Sequence, residues 1–272
     1  MSPAVALVGA FDDLRSRDVR LLQEATKLGP LTVWVHSDQA IQAQTGSLPK
    51  FPLSERLYEL RALRFVTAAI PLNPLTPADA LPDAEGFKGA TWVDELGALN
   101  EARRRFCDAR GLKYHVIKAT QLGGFPEQAA APVGSGRKKV VVTGCFDWFH
   151  SGHIRFFEEV STYGDLYVIV GHDANIRLLK GQGHPLLPQD ERRYMVSSVR
   201  YVAQALVSSG EGWLDADPEI KKIRPDIYAV NQDGDRGGKR EYCAQRGIEY
   251  LVLNRAPAPG LPQRSSTELR GF

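Results

Sequence analysis

Two hydrophobic periods alternate along the chain. Residues 139–146 (KVVVTGCF) and 166–172 (LYVIVGH) are near-continuous β-branched runs, the pattern of strands buried on both faces of a parallel sheet. Between them Ile154, Phe157 and Val160 recur at helical spacing within 150–163, which predicts a βαβ unit. Further helices are predicted over 189–201 and 237–246, and further strands over 205–209, 227–231 and 250–254. Strands alternating with helices imply a doubly wound α/β domain, in which ligands sit beyond the carboxyl ends of the strands.

The same pattern occurs twice. Residues 8–24 (VGAFDDLRSRDVRLLQE) parallel 143–159 (TGCFDWFHSGHIRFFEE), pairing Phe11 with Phe146 and Asp12 with Asp147. Residues 28–41 then parallel 163–176, 55–66 parallel 191–202 after a one-residue slip, and 106–117 parallel 242–253. Order and spacing kept over successive blocks indicate a tandem duplication. The expected architecture is two tandem Rossmann-like doubly wound parallel-sheet domains, 1–134 and 135–272. The segment 126–139 (PEQAAAPVGSGRKK) is small, contains Gly and Pro and lacks apolar periodicity, which places the boundary near Ser135.

Composition narrows the partners. The chain of 272 residues is 43% hydrophobic and 24% charged, an ordinary folded protein rather than a disordered or collagen-like one. Lys and Arg number 34 against 32 Asp and Glu, a balance that announces neither nucleic acid nor an anionic membrane. Cys107, Cys145 and Cys243 lie far apart without a CxxC pair, so no disulfide framework or zinc site is indicated. No apolar run approaches the ~20 residues of a membrane span, and the start lacks the basic and apolar regions of an export signal. The expectation is a cytoplasmic protein without nucleic-acid or membrane partners.

The candidate chemistry lies in the first strand-to-helix turn of the second half, GCFDWFHSGH. His150 and His153 stand three apart at a helix start, on one face, beside unpaired backbone N–H groups and the positive end of the helix dipole. Gly144 and Gly152 let a phosphate approach the backbone closely, so the turn reads as a polyphosphate cradle. No GxGxxG follows either first strand, which argues against a Rossmann dehydrogenase.

This half resembles the HxGH nucleotidyltransferase superfamily, also called cytidylyltransferase-like, over nearly its whole length. Besides GCFDWFHSGH it carries LLKGQGHPLLPQDERRYMVSSVRYV, similar to the family's lysine-containing loop and ER helix, and RSSTELR, similar to its ISSTxxR signature. Ser-Ser-Thr-Glu alone is also an ordinary helix-capping sequence; the company of the other motifs gives it weight. The resemblance implies transfer of a nucleoside monophosphate from an NTP, CTP or ATP, to a small phosphorylated alcohol or sugar, with release of pyrophosphate. In-line attack by an acceptor phosphate needs positioning and charge neutralisation rather than a protein nucleophile.

By the same resemblance His150, His153 and Lys180 are catalytic, stabilising the charge that develops on the triphosphate. Gly144, Cys145, Phe146, Asp147, Gly152, Arg192, Asp235, Ser265, Ser266 and Thr267 bind nucleotide, with Arg193 an alternative to Arg192. Mg2+ is expected on the phosphates, held by substrate and water rather than by protein ligands. The segment 231–235 (NQDGD) stands where the family often shows a GGD- or GDD-like run and departs from it. His172 and His184 read as structural or loop residues. The stretch LKGxGxPLxPxxER is closest in style to heptose-phosphate adenylyltransferases.

The first half has lost this set. Arg15 replaces His150, Arg17 replaces Gly152 and Asp18 replaces His153, residues 129–134 (AAAPVG) stand where RSSTELR would be, and Thr45 aligns with Lys180. Tandem halves also occur in phosphoethanolamine cytidylyltransferase, where the second half is the departing one; here the order is reversed. Since family enzymes often dimerise, the first half is expected to serve as the inactive member of an intramolecular pseudo-dimer. The competing reading is a nucleotide-binding sensor without turnover.

Overall fold

The computed structural model describes residues 3–82, 87, 89–95, 100–127 and 135–269, without the side chains of Thr267 and Glu268. The chain divides into two compact units, Met1–Gly124 and Phe125–Phe272. The division lies upstream of Ser135. Phe125 packs against Tyr194 with ring centroids 5.9 Å apart, and its carbonyl accepts from Arg193 Nη2 at 3.4 Å, so the linker-like stretch opens as part of the second unit.

The first unit runs β1 (Val5–Gly9), α1 (Ser16–Thr26), β2 (Leu31–Val35), α2 (Asp38–Thr45), α3 (Leu53–Ala62), β3 (Ala68–Pro71), β4 (Thr91–Glu95), α4 (Glu101–Arg110) and β5 (Lys113–Ile117). The second runs β6 (Lys139–Gly144), α5 (Ser151–Ser161), β7 (Asp165–Val170), α6 (Asp173–Lys180), α7 (Gln189–Ser197) and β8 (Val202–Val207), then α8 (Asp217–Ile223), β9 (Ile227–Asn231), α9 (Lys239–Arg246), β10 (Glu249–Leu253) and α10 (Ser266–Leu269). Both sheets are five-stranded and parallel, ordered β3-β2-β1-β4-β5 and β10-β9-β6-β7-β8. Read from corresponding strands, the two orders are the same. Both units are therefore the Rossmann-like α/β fold expected from the alternating periods.

The β-branched runs are central strands for a physical reason. Val140, Val141 and Val142 are buried on alternate faces of β6, and Ile154, Phe157 and Val160 of α5 close one of those faces. On the other face Val141 joins Ile169, Tyr228, Ile220 and Tyr242, covered by α8 and α9. The order reverses at β6, between β7 and β9, which is where a doubly wound sheet opens a crevice at its carboxyl edge. Among the described residues of the second unit, two helices escaped the sequence pattern, α6 and α8. Each is about two turns long, too short for a periodicity to establish itself. Among the described residues no helix is long and apolar enough to cross a membrane.

Candidate active site

The site is built where β6 ends. Phe146 holds a left-handed backbone, φ 52°, a conformation that costs a non-glycine residue on the order of 1–3 kcal/mol. That twist folds its ring back over Gly144, where a Cβ would stand 2.7 Å from Phe146 Cζ; only glycine fits. The ring is buried edge-on to His153, centroids 5.3 Å apart, and against Phe157. Asp147 then ties the turn to the segment before α7, its Oδ1 accepting the N–H groups of Leu186 at 2.6 Å and Leu187 at 3.0 Å.

His150 caps α5. Its Nδ1 accepts the Gly152 N–H at 3.1 Å, which fixes the neutral tautomer with the proton on Nε2. The His150 ring has no exposed surface and stacks on His153 with centroids 4.0 Å apart, while Phe149 stacks on the other side of His153. Burial, helped by Arg255 and Arg264, pushes His150 down to about 3. Burial, then His150, Arg255 and Lys180, hold His153 well below the usual histidine range. Both imidazoles are neutral near pH 7, and His150 Nε2 and His153 Nδ1 are buried with no hydrogen-bond partner among the described residues. Unsatisfied polar atoms of this kind cost about 1–3 kcal/mol each and mark a place prepared for a ligand.

A cleft of about 400 Å³ opens over this turn. Of the residues singled out in the sequence, Gly144, Cys145, Phe146, Asp147, Gly152, His153, Lys180 and Ser266 line it. Lys180 ends α6 rather than sitting in a loop. Ser266 Oγ donates to the Trp148 carbonyl at 3.3 Å, fastening the start of α10 beside the histidine turn. His150 lies behind His153, out of the lining. Ser265 does not line the cleft either; its carbonyl closes the α10 turn by accepting from Leu269 N. The Thr267 side chain lies outside the described residues.

Two assignments need correction. Arg192 is fully buried, with its guanidinium turned onto backbone carbonyls and Asp173, so it faces no nucleotide. Asp235 points away from the cleft and accepts from the Tyr250 hydroxyl and Arg240, both at 2.9 Å; Asn231, Asp233 and Gly234 of the same segment line the cleft instead. His184, read as a loop residue, also lines it, with Nδ1 3.9 Å from Asp147 Oδ2.

Two cations were missed. Lys239, at the start of α9, donates to the Gly234 carbonyl at 2.8 Å, and burial lowers its ammonium while Asp235 opposes the shift. Arg255, just past β10, pairs with Asp233 and donates to the Arg264 carbonyl at 3.0 Å. No motif carries either residue; the available signal was a cation just beyond the carboxyl end of a strand or at the start of the following helix. With neutral histidines, the positive field over the cleft comes from Lys180, Lys239, Arg255 and the amino end of α5.

The corresponding turn of the first unit is filled with its own ions. Asp13 accepts from Arg15 at 2.6 Å and Lys50 at 3.0 Å, Asp18 accepts the Arg15 backbone N–H at 2.8 Å, and Arg17 pairs with Glu95. Burial raises the Asp18 carboxyl. Residues 129–134, the counterpart of RSSTELR, lie outside the described residues.

The model of cytidylyltransferase-like proteins matches residues 141–271. An FAD synthase from Ferroglobus placidus is 39% identical over 119 residues, 43% of this chain and 74% of that protein. The chain belongs to the cytidylyltransferase-like family. An FAD synthase from Methanocella paludicola is 33% identical over 135 residues, 48% of this chain and 93% of that protein. Bifunctional protein HldE of Aliarcobacter butzleri is 34% identical over 115 residues, 42% of this chain and 23% of that protein. This cytidylyltransferase-like chain is thus a nucleotidyltransferase, and the cleft at β6 lies at the head of its matched segment.

Proposed function

We propose that residues 135–272 transfer a nucleoside monophosphate from a magnesium-bound NTP to a small phosphorylated acceptor. An oxygen of the acceptor phosphate attacks the α-phosphorus. The bond from that phosphorus to the oxygen bridging the β-phosphate breaks, and pyrophosphate leaves with the electron pair. The observation that carries this reading is the stacked His150–His153 pair, neutral, with buried ring nitrogens lacking partners among the described residues, at a helix start where His153 faces a cleft walled by lysines and an arginine. Such a set neutralises charge that grows in the transition state and needs no nucleophile of its own.

Likeness to proteins named FAD synthase makes ATP and FMN the first pair to test, within the wider class of CTP or ATP and a phosphorylated alcohol or sugar. Among the described residues no group of three or more His, Cys, Asp or Glu is arranged to hold a metal. Asp147 Oδ1 is taken by two backbone N–H groups and Asp233 by Arg255. That donor set fits a magnesium ion carried by the phosphates, where it would neutralise charge on them.

In the same reading the first unit does not turn over nucleotide. Its ion pairs fill the place where the second unit offers donors, and its role is to pack as the intramolecular counterpart of a second subunit. The test is pyrophosphate release from ATP or CTP with FMN, glycerol 3-phosphate and sugar phosphates as acceptors. Release with one pair, abolished by His153→Ala, is expected. NTP binding without release for any acceptor would replace the enzyme by a nucleotide sensor.

A further inference from the structure

Arg192 makes four hydrogen bonds from full burial. Nε donates to Leu187 O at 2.9 Å, Nη1 to Cys145 O at 2.7 Å, and Nη2 to Gly171 O at 2.8 Å and Asp173 Oδ1 at 2.6 Å. In the first unit Arg56, equally buried, repeats the pattern bond for bond. Nε reaches Phe51 O at 3.0 Å, Nη1 reaches Ala10 O at 2.5 Å, and Nη2 reaches His36 O at 2.9 Å and Asp38 Oδ1 at 2.6 Å.

The carbonyls that Arg192 gathers belong to three separate turns. Cys145 precedes the left-handed Phe146 whose ring abuts His153. Gly171 and Asp173 open the segment that becomes α6 and ends in Lys180. Leu187 closes the stretch from His184 whose N–H groups Asp147 holds. A guanidinium is a rigid planar fork able to serve several acceptors at once, which an ammonium on a flexible stem cannot copy. The recurrence in a unit without the phosphate-binding set shows that the clamp shapes the turns and does not itself bind phosphate.

We propose that Arg192 is a positioning residue for nucleotidyl transfer, fixing the three turns so that His153 and Lys180 meet the same phosphates. This rests on the reading that the second unit is the active one. The first unit supplies an internal control, because Arg56 does the same structural work where no catalysis is assigned.

The experiment measures kcat and KM for pyrophosphate release from ATP with FMN, together with the melting temperature, in full-length Arg192→Lys, Asp173→Asn and Arg56→Lys. Misplacing a reacting group by about 1 Å costs on the order of 10²-fold, so Arg192→Lys is expected to lower kcat of the folded protein about 10²-fold with little change in KM for ATP. Asp173→Asn keeps the arginine and its carbonyl bonds and is expected to lower kcat about 10-fold. Arg56→Lys should lower the melting temperature and leave kcat unchanged. Normal kcat in the folded fraction of Arg192→Lys, or a change in KM alone, overturns the proposal; should that variant not fold, normal kcat in Asp173→Asn overturns it. Loss of kcat in Arg56→Lys with Arg192→Lys unaffected would instead overturn the assignment of activity to the second unit.

Discussion

Replacing Gly152 by alanine sets helix propensity against the aim of the histidine pair. Gly152 lies in the first turn of α5, where alanine is favoured over glycine by about 1 kcal/mol. A Cβ there, however, would stand 2.9 Å from His150 Cε1 and 3.0 Å from Nδ1. The ring cannot yield cheaply, since it has no exposed surface and stacks 4.0 Å from His153. Displacing it loses the Gly152 N–H bond, worth about 0.5–1.5 kcal/mol, and adds overpacking of about 1–3 kcal/mol. The net loss, about 0.5–3.5 kcal/mol, leaves a domain of ordinary stability folded. Turnover should fall much further, about 10²–10³-fold, because a displaced His150 no longer backs His153, which loses its aim at the developing charge. Chemical denaturation and pyrophosphate release on the same preparation separate the two effects. A Gly152→Ala protein with wild-type kcat would refute the argument that this glycine exists to seat the histidine pair.

Other outcomes follow from the same geometry. His150 titrates at about 3 when folded against about 6.5 when unfolded, so the unfolded chain binds more protons between these values; stability is full above about pH 6.5 and falls as pH drops towards 3. His150→Asn should flatten that part of the stability–pH curve relative to wild type, as followed by urea unfolding from about pH 4 to about pH 7. Lys239→Ala and Arg255→Ala should each lower kcat/KM about 10-fold or more in the release assay, and wild-type values for both would remove them from the site. Arg15→Ala and Asp18→Ala should leave release unchanged while altering the melting temperature. A chain beginning at Phe125, the start of the second unit, should dimerise or lose stability in light-scattering and melting experiments; a monomer of full activity and stability would remove the proposed packing role of the first unit.

The strands were legible because central strands of a parallel sheet are apolar on both faces. The histidine turn was legible because its glycines and histidines stand at fixed offsets from the strand end. Arg192 was misassigned because a conspicuous arginine beside acidic residues looks the same in sequence whether it meets a phosphate or a carbonyl. Arg56 makes the same four bonds in a first unit whose turn has no histidines, and that comparison gives the structural reading. Asp235 was taken for the cleft residue of its segment because strand-end phase cannot be read through a 3-10 turn, which here swings Asp233 inward and Asp235 out to Tyr250. Lys239 and Arg255 were missed because they reach the cleft through the fold rather than through any local motif.

The left-handed phenylalanine occurs in both units, at φ 49° for Phe11 and 52° for Phe146. A strained residue at an active site invites the view that the strain is kept for catalysis. Here the first unit, which has Arg15 and Asp18 where the second has its histidines, holds the same conformation, over a glycine similarly closed by its ring, where a Cβ at Gly9 would stand 2.8 Å from Phe11 Cε2. The twist is therefore a cost of turning from this strand into this helix, independent of what the turn later binds. Building the histidine set into the first unit would consequently call for new side chains at Arg15, Arg17 and Asp18 on a backbone that already has the same bend.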